Sequence, residues 1–325
     1  MLLRPELQAL RNDDTPQRQA QAVLHRLSAQ WRTDGGGAGL EEALASYAGG
    51  EPLSRLPPLA RLFVPGDSSA LRLTRDLIDR MSVALAAAPW GQIPLRHKLD
   101  DMTATLVLGA ADNAVLVLQA IDGAGLKRRP AALTASFSPG ETYDHVLAGT
   151  ADARLIELRG ETGTRADLAV TRCRLVAGDV ARRSGATQSL LIDAGATTLT
   201  TLKLQRRPAN GSVSRQLSLA DGTLVHQAAG NPRESRFELA AALLGRMKRC
   251  DAAPLLAALA EENGGQSMRW QSLKECLGLD SGVGFVALSR IAAHPNDPLA
   301  GPAEALRLQL LADYPQLAGA VQCPA

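Results

Sequence analysis

The side chains that could hold a metal ion are scattered along the chain. The sequence has five histidines, and no two of them have the HxH or HExxH spacing that brings two imidazoles to one metal. His97, His145 and His226 lie in the central part of the chain, as do Glu141 and Asp152. We therefore expect no conventional metal site. A single divalent transition metal held by ligands drawn from these five residues is the alternative.

Two adjacent arginines, Arg182 and Arg183, lie in a short segment that reads as a strand. Neighbouring residues of a strand face opposite ways, so one arginine is expected to point into the protein. A buried guanidinium needs a partner. That partner is either a carboxylate of the chain, Glu141 or Glu157, or an anionic ligand, because a guanidinium binds a carboxylate with two parallel hydrogen bonds.

Several common catalytic motifs are absent from the sequence. There is no nucleophile elbow, no Walker A motif and no dinucleotide-binding fingerprint. The glycine-rich stretch at 35–39 lacks the lysine and the preceding strand of a phosphate loop, so we interpret it as a linker. No CxxC pair occurs, which argues against a zinc ribbon. We expect reduced cysteines; they are Cys173, Cys250, Cys276 and Cys323.

Composition restricts the class of protein. A chain of 325 residues is long enough for more than one domain. The net charge is near +2 and the basic residues form short, separated clusters, so we expect no nucleic-acid partner. We identify no leader peptide and no membrane span, and expect a soluble, cytoplasmic protein. The abundance of Ala and Leu over aromatics favours helices and a bacterial source.

The pattern of apolar residues divides the chain into three regions. Helical spacing and caps such as Thr15-Pro16 predict an N-terminal helical region over residues 1–94. Short apolar runs separated by turn signals predict about ten strands over 95–230, including a hairpin at Asp221-Gly222. Because many of the runs lack clean alternation, we expect strands covered on both faces.

Helices return in residues 231–325. Asn231, Pro232 and Glu234 form the start signal of the first of them. Short helices with short connections predict antiparallel neighbours. We expect a C-terminal helical bundle that resembles HEAT repeats.

Two segments resemble the motifs of the cupin superfamily. Gly140–Gly149, with the sequence GETYDHVLAG, is similar to the first motif, in which an acid precedes a Val-Leu-x-Gly turn and a strand. Leu175–Gln188, with Gly178-Asp179 near its start, is similar to the second motif, a Gly-Asp turn followed by a short strand and a small turn. The resemblance covers residues 95 to 230. It implies an α+β protein with a central antiparallel double-stranded β-helix barrel, flanked by N- and C-terminal helical regions.

The resemblance also implies a metal centre, and this sequence departs from its ligand pattern. In the family, histidines and a glutamate of the first motif and a histidine of the second motif bind one metal. Here no histidine precedes the Val146 turn, Glu141 is one residue out of register, and His145 does not match a ligand position. Gln188 stands where the second-motif histidine belongs, and its amide is a poor ligand for a transition metal. The resemblance therefore implies a degenerate metal site and no metal cofactor.

Three functions remain open. The first is a non-catalytic, regulatory or binding protein, with a small organic, anionic ligand held by His145, Arg182, Arg183, Gln188 and Glu141. The second is a metal-dependent cupin oxygenase or isomerase with unconventional ligands. The third is a scaffold whose C-terminal helices contact a protein partner or, in a homodimer, a second subunit. We lean towards the first function, in which no reaction is catalysed.

Overall fold

The structure is a computed structural model that describes residues 13–34, 36–162, 165–208, 213–228 and 232–321. These residues divide into two units. The first unit comprises Met1–Arg207 and Leu217–Leu224, and the second comprises Pro208–Gln216 and Val225–Ala325. The finer predicted boundaries, after residues 94 and 230, stay predictions. Gly35, Asn231 and Cys323, which were used in the sequence analysis, lie outside the described residues.

Helices precede the strands in the first unit. They are α1 (Thr15–Thr33), α2 (Leu40–Ala48), α3 (Pro57–Ala60) and α4 (Ser69–Ala87), with 3-10 turns at Leu53–Arg55 and Arg61–Phe63. Helix α1 begins at Thr15 with Pro16 in its first turn, where the missing N–H costs nothing. Helix α4 ends at Ala87, before Pro89, because proline cannot continue a helix.

Antiparallel strands follow these helices. They are β1 (His97–Leu99), β2 (Thr103–Ala111), β3 (Ala114–Ile121), β4 (Thr134–Phe137), β5 (Glu141–Ala148), β6 (Thr150–Thr162), β7 (Arg165–Val176), β8 (Val180–Ser184), β9 (Gln188–Gly195), β10 (Leu199–Arg206), β11 (Ser214–Ser218) and β12 (Leu224–Ala228). One sheet has six strands in the order β1-β2-β3-β10-β5-β8, and two sheets have three strands each, β7-β6-β9 and β12-β11-β4. The predicted Asp221-Gly222 turn joins β11 to β12, and Gly222 has a φ of 69°.

The six-stranded sheet and the β7-β6-β9 sheet share one apolar core. Ile121, Val146 and Leu199 of the larger sheet are buried with Ala153 and Leu175 of the smaller one. The chain crosses between the two sheets from β5 to β6, from β7 to β8, from β8 to β9 and from β9 to β10. The architecture is α+β with antiparallel sheets, as the sequence predicts. The prediction of a closed barrel is corrected. In the described residues β8 is an edge strand of the six-stranded sheet and β9 is an edge strand of the β7-β6-β9 sheet, so both sheets are open.

The N-terminal helices cover the other face of the six-stranded sheet. Leu116, Leu202 and Leu204 are fully buried in one cluster with Trp31 and Tyr47 of α1 and α2. Full burial of a leucine side chain contributes about 1.5–3 kcal/mol. Since the central strands β3, β5 and β10 are covered on both faces, they contain apolar runs without clean alternation.

The sequence analysis did not predict one short helix within the strand region. Helix α5 (Gly123–Arg128) separates β3 from β4. The carboxylate of Asp122 caps it by accepting hydrogen bonds from the backbone N–H groups of Ala124 and Gly125. Six residues are too few for a helical period to show in sequence.

Helices form the C-terminal part of the second unit. They are α6 (Pro232–Arg246), α7 (Ala253–Glu261), α8 (Gln266–Leu279), α9 (Ser281–Ala292) and α10 (Ala300–Asp313), with 3-10 turns at Cys250–Ala252 and Pro315–Val321. Leu273, Phe285 and Leu288 form the centre of one core. The likeness to HEAT repeats stays a prediction. Among the described residues of both units, no helix combines the length and apolar character that a membrane crossing requires.

The turn from β5 to β6 depends on Gly149. This residue has a φ of 83°, and a Cβ there would collide with the carbonyl of Thr198. Gly66 has a φ of 74° but open space around it. We expect Gly66→Ala to lower the free energy of unfolding by about 1–2 kcal/mol, the cost of left-handed backbone, and Gly149→Ala to lower it further.

Urea unfolding of both variants measures this difference. Gly160→Ala is the control, because Gly160 has neither positive φ nor a neighbour within 4 Å. Equal losses in Gly149→Ala and Gly66→Ala would mean that the close approach of Thr198 has no energetic role.

Candidate functional site

Alternation along β5 sends two sets of side chains to opposite faces of the six-stranded sheet. Asp144 and Val146 face the smaller sheet and line a cavity there. Tyr143 packs against the helical core, and the Nδ1 of His145 donates a hydrogen bond to the carbonyl oxygen of Leu62, 2.6 Å away on the helical side. The predicted ligand-binding residue His145 is thus buried on the face away from the cavity.

The register of β8 against β5 decides which arginine points inward. Arg182 lies opposite Tyr143 and Arg183 lies opposite Thr142. Arg182 faces out and its Nη2 is 2.7 Å from Glu141 Oε1. Arg183 faces the cavity and donates to Asp144. One inward arginine was expected, but its expected partner, Glu141 or Glu157, is corrected to Asp144. Glu141 pairs with Arg182 and Arg206, and Glu157 pairs with Arg159 and Gln188.

A cavity of about 50 Å³ lies between the two facing sheets. Its polar lining is contributed by β3, β5, β8 and β10 together with the turn before β8, and its apolar lining comes mainly from β7 and β9. The residues are Gln119, Asp144, Val146, Leu175, Asp179, Ala181, Arg183, Leu190, Ile192, Thr201 and Lys203.

The cavity wall carries two cations, Arg183 and Lys203, and two carboxylates, Asp144 and Asp179. Asp144 is 9% exposed and pairs with Arg183, which is 14% exposed. Lys203 Nζ lies 3.5 Å from the other oxygen of the same carboxylate. The carboxylate of Asp144 therefore contacts two cations, Arg183 and Lys203. The Nε of Arg183 is buried and has no hydrogen-bond partner in the described part of the chain. A buried donor without an acceptor is costly, so this group is suited to an anion or a polar ligand.

Glu141 is the centre of a separate network on the helical face. Its two carboxylate oxygens accept hydrogen bonds from the hydroxyls of Tyr47 and Tyr143, at 3.0 and 2.9 Å. Arg206 donates to Glu141 at 3.1 Å and its guanidinium lies 4.2 Å from the ring centre of Tyr47. Arg206 also donates to two backbone carbonyls of α2 and its following turn. This network is fully partnered, so it ties α2 to β5, β8 and β10.

The network changes the acidity of its members. Burial by itself would raise the pKa of Glu141, but hydrogen bonds from Tyr143, Tyr47 and Arg182 outweigh it and hold that pKa below its usual value. Burial, followed by the neighbouring Glu141 charge, raises the pKa of Tyr47. The carboxylate form of Glu141 is therefore the form that the fold stabilises.

Gln188 is positioned at the turn between β8 and β9. Its Nε2 donates to Glu157 Oε1 at 3.1 Å, and its Oε1 accepts from the backbone N–H of Ser184 at 3.2 Å. Both ends of the amide are engaged within the chain, which suits a residue that holds the turn.

The remaining candidate metal ligands are not brought to the cavity. His97 is exposed on β1, with its Nδ1 2.9 Å from the carbonyl oxygen of Leu95. Asp152 is exposed on β6 and His226 is exposed on β12. Within the described ranges, no three residues among His, Cys, Asp and Glu come together as a metal-binding group.

Sequence reasoning missed Asp144 and Lys203. Each is a charged residue within an apolar strand, where Asp and Lys are depleted. Alternation from His145 would have placed Asp144 on the opposite face of β5. The meeting of Asp144 with Arg183 and Lys203 depends on strand order, which local patterns do not encode.

Comparison with protein families finds no match, and comparison with curated proteins finds none. Among solved structures, the chain is similar to a 7S globulin from Momordica charantia, with 14% identity, a TM-score of 0.27, and 38% of this chain and 35% of that chain covered. It is similar to oxalate decarboxylase from Lactobacillus farciminis in its formate complex, with 14% identity, a TM-score of 0.27, and coverage of 41% and 38%. It is also similar to the CENP-C cupin domain of Drosophila melanogaster, with 11% identity, a TM-score of 0.27, and coverage of 35% and 76%.

Of these three neighbours, the Drosophila domain is described as a cupin domain. The matched region spans only about a third of the globulin and two fifths of the decarboxylase. Likeness at a TM-score of 0.27 assigns neither a family nor an activity to this chain, so the functional argument rests on the geometry of the cavity.

The lowered pKa of Glu141 predicts a pH dependence of stability. A carboxyl whose pKa is lower in the folded state stabilises the fold above its unfolded pKa, near 4.5, and that stabilisation is lost as pH falls through the folded value. Glu141→Gln should therefore unfold more easily at neutral pH and lose less stability on acidification than wild type.

Urea midpoints measured from neutral to acidic pH test this expectation. Glu42→Gln is the control, because Glu42 is an exposed carboxylate on α2 without an ion pair in the described part of the chain. If Glu141→Gln and Glu42→Gln have the same pH profile, the network does not stabilise the Glu141 carboxylate.

Proposed function

We propose that the chain is a non-catalytic, cytoplasmic binding or regulatory protein of cupin type that holds a small carboxylate between its two facing sheets. In this proposal the two open sheets act as the halves of a double-stranded β-helix. The observation that supports it is the buried Nε of Arg183, which has no acceptor among the described residues and belongs to a residue that lines the cavity.

The size of the cavity limits the ligand. One water needs about 10–15 Å³ when volume is measured with a water-sized probe. A cavity of about 50 Å³ therefore accommodates roughly three to five heavy atoms. Formate has three heavy atoms and acetate has four. A carboxylate of this size can accept from Arg183 Nε with one oxygen and leave the other for Lys203.

Asp144 has two opposed effects on such a ligand. Its carboxylate orients Arg183 and Lys203, because both cations contact it. It also competes with the ligand for the same donors, since like charges in a partly desolvated space repel. The wall also contains the carboxylate of Asp179, which balances the second cation, so the group that remains for the ligand is the buried Nε of Arg183, which has no acceptor among the described residues.

The lining also favours binding over nucleophilic catalysis. No described residue of the cavity wall is a histidine, cysteine or serine, and the carboxylate of Asp144 is already engaged by two cations. A nucleophile with an adjacent base is the usual requirement for covalent catalysis.

A matched pair of variants tests this proposal. Arg183→Gln should weaken binding of formate or acetate at least about tenfold, because hydrogen bonds to charged groups contribute about 1.5–3 kcal/mol. Arg182→Gln, the adjacent residue on the other face, should leave binding unchanged. Asp144→Asn should tighten binding by removing the competing charge. Titration with ¹³C-formate, followed by NMR, measures all three.

The affinity itself should be weak. Small ligands gain at most about 1.5 kcal/mol per heavy atom, which for formate corresponds to a dissociation constant of the order of a millimolar. Absence of binding at tens of times that concentration, or equal losses in Arg182→Gln and Arg183→Gln, would refute the proposal.

The metal-dependent oxygenase or isomerase is the alternative to be tested by metal analysis. Stoichiometric iron, manganese, nickel or zinc in the purified protein would overturn the non-catalytic proposal. His145→Ala should then abolish metal binding if His145 is a ligand. Unchanged metal content in that variant would remove His145 from the site.

The scaffold alternative has one feature in its favour. Leu239 and Leu243 are 72% and 57% exposed on α6, and their spacing of four residues places them on one face. Met247, which directly follows the helix, is 56% exposed. If this stripe joins two copies of the chain, light scattering should give a dimer for wild type and a monomer for Leu243→Glu. A wild-type monomer would exclude the homodimer.

A further inference from the structure

A second, larger cleft lies between the segment Leu126–Ala132 and strands β6, β7 and β9. Its volume is about 740 Å³, which is within the range of about 300–1,000 Å³ found for small-molecule sites. Part of its wall is apolar, contributed by Leu126, Pro130 and Ile192. The cleft is lined entirely by residues of the first unit.

The charged part of the wall is strongly basic. Its cations are Lys127, Arg129, Arg154, Arg172 and Arg174, and its carboxylates are Asp152 and Asp193. Arg154 is neutralised by Asp193 through two hydrogen bonds of 2.7 Å. The other four cations face the single remaining carboxylate of Asp152. None of these four forms an ion pair with a carboxylate of the described ranges.

Strand register concentrates this charge. Arg172 lies directly opposite Arg154, and Arg174 lies opposite Asp152. Arg172 and Arg174 are two residues apart on β7, so they project from the same face, roughly 7 Å apart. Arg154 is already paired with Asp193, whereas Arg172 and Arg174 form no ion pair within the described residues. A bound anion would therefore reduce the repulsion between these two neighbouring guanidinium groups.

We propose that this cleft binds a small phosphorylated organic molecule. Its phosphates would lie against the guanidinium groups of Arg172 and Arg174, which bind phosphate with paired hydrogen bonds. Its organic part would lie on the apolar wall formed by Leu126 and Pro130. This inference does not depend on the carboxylate cavity, because Arg183 and Lys203 do not line the cleft.

The composition of the wall favours a small ligand over single-stranded nucleic acid. Proteins that bind single strands stack bases on aromatic side chains. The described residues of the cleft wall include no Phe, Tyr or Trp.

Calorimetry with the full chain tests the proposal, with ADP, inorganic pyrophosphate, adenosine and oligouridylate as probes. ADP and pyrophosphate should bind, and adenosine should not. The double variant R172Q/R174Q should weaken ADP binding at least about tenfold, since it removes charged donors. The control is Arg165→Gln, an exposed arginine on the same strand but outside the cleft, and it should leave ADP binding unchanged.

Four outcomes would overturn the proposal. They are absence of ADP binding, binding of oligouridylate alone, equal weakening by Arg165→Gln and by R172Q/R174Q, and loss of ADP binding in Arg183→Gln. Retention of ADP binding in Arg183→Gln supports the separate site, even if that variant no longer binds formate.

Circular dichroism tests whether each variant remains folded. The substituted arginines Arg172 and Arg174 are exposed, so no loss of fold is expected.

Discussion

The central strands β3, β5 and β10 of the six-stranded sheet are covered on both faces, and the organisation of the first unit depends on this constraint. One face packs on the N-terminal helices through Leu116, Leu202 and Leu204. The other packs on the smaller sheet through Val146 and Leu199. Hydrophobic burial of this kind is the main favourable term in folding. A polar side chain that is buried on either face must find a partner, because water is excluded there.

The two faces meet this obligation differently. On the helical face, Glu141 accepts from two tyrosines and two arginines, and Arg206 completes its hydrogen bonds with backbone carbonyls. On the inner face, Asp144 serves Arg183 and Lys203 together, and the Nε of Arg183 is left without an acceptor in the described residues. The hydrogen bonds around Glu141 join α2 to the sheet and, in the described residues, leave no buried donor for a ligand. Those around Asp144 leave one buried donor, Arg183 Nε, that a ligand could use.

Register explains why adjacent arginines have such different surroundings. A strand slip of one residue exchanges the two faces. In the observed pairing of β5 with β8, Thr142 lies opposite Arg183 and Tyr143 opposite Arg182, so Arg183 is the inward residue. The same rule acts on β7, where pairing with β6 places Arg172 beside Arg154. Alignment thus selects the arginine that lines the cavity, and it places Arg172 and Arg174 on the cleft side of β7.

The sequence by itself determined the α+β class, the antiparallel strands and the Asp221-Gly222 turn, because hydrophobic period and turn residues are local signals. It also indicated that one of Arg182 and Arg183 points inward. Only the tertiary structure decided which arginine does so, that its partner is Asp144, and that the sheets remain open. These facts depend on which strands become neighbours, and neighbours in a sheet such as β5 and β10 are far apart in the chain.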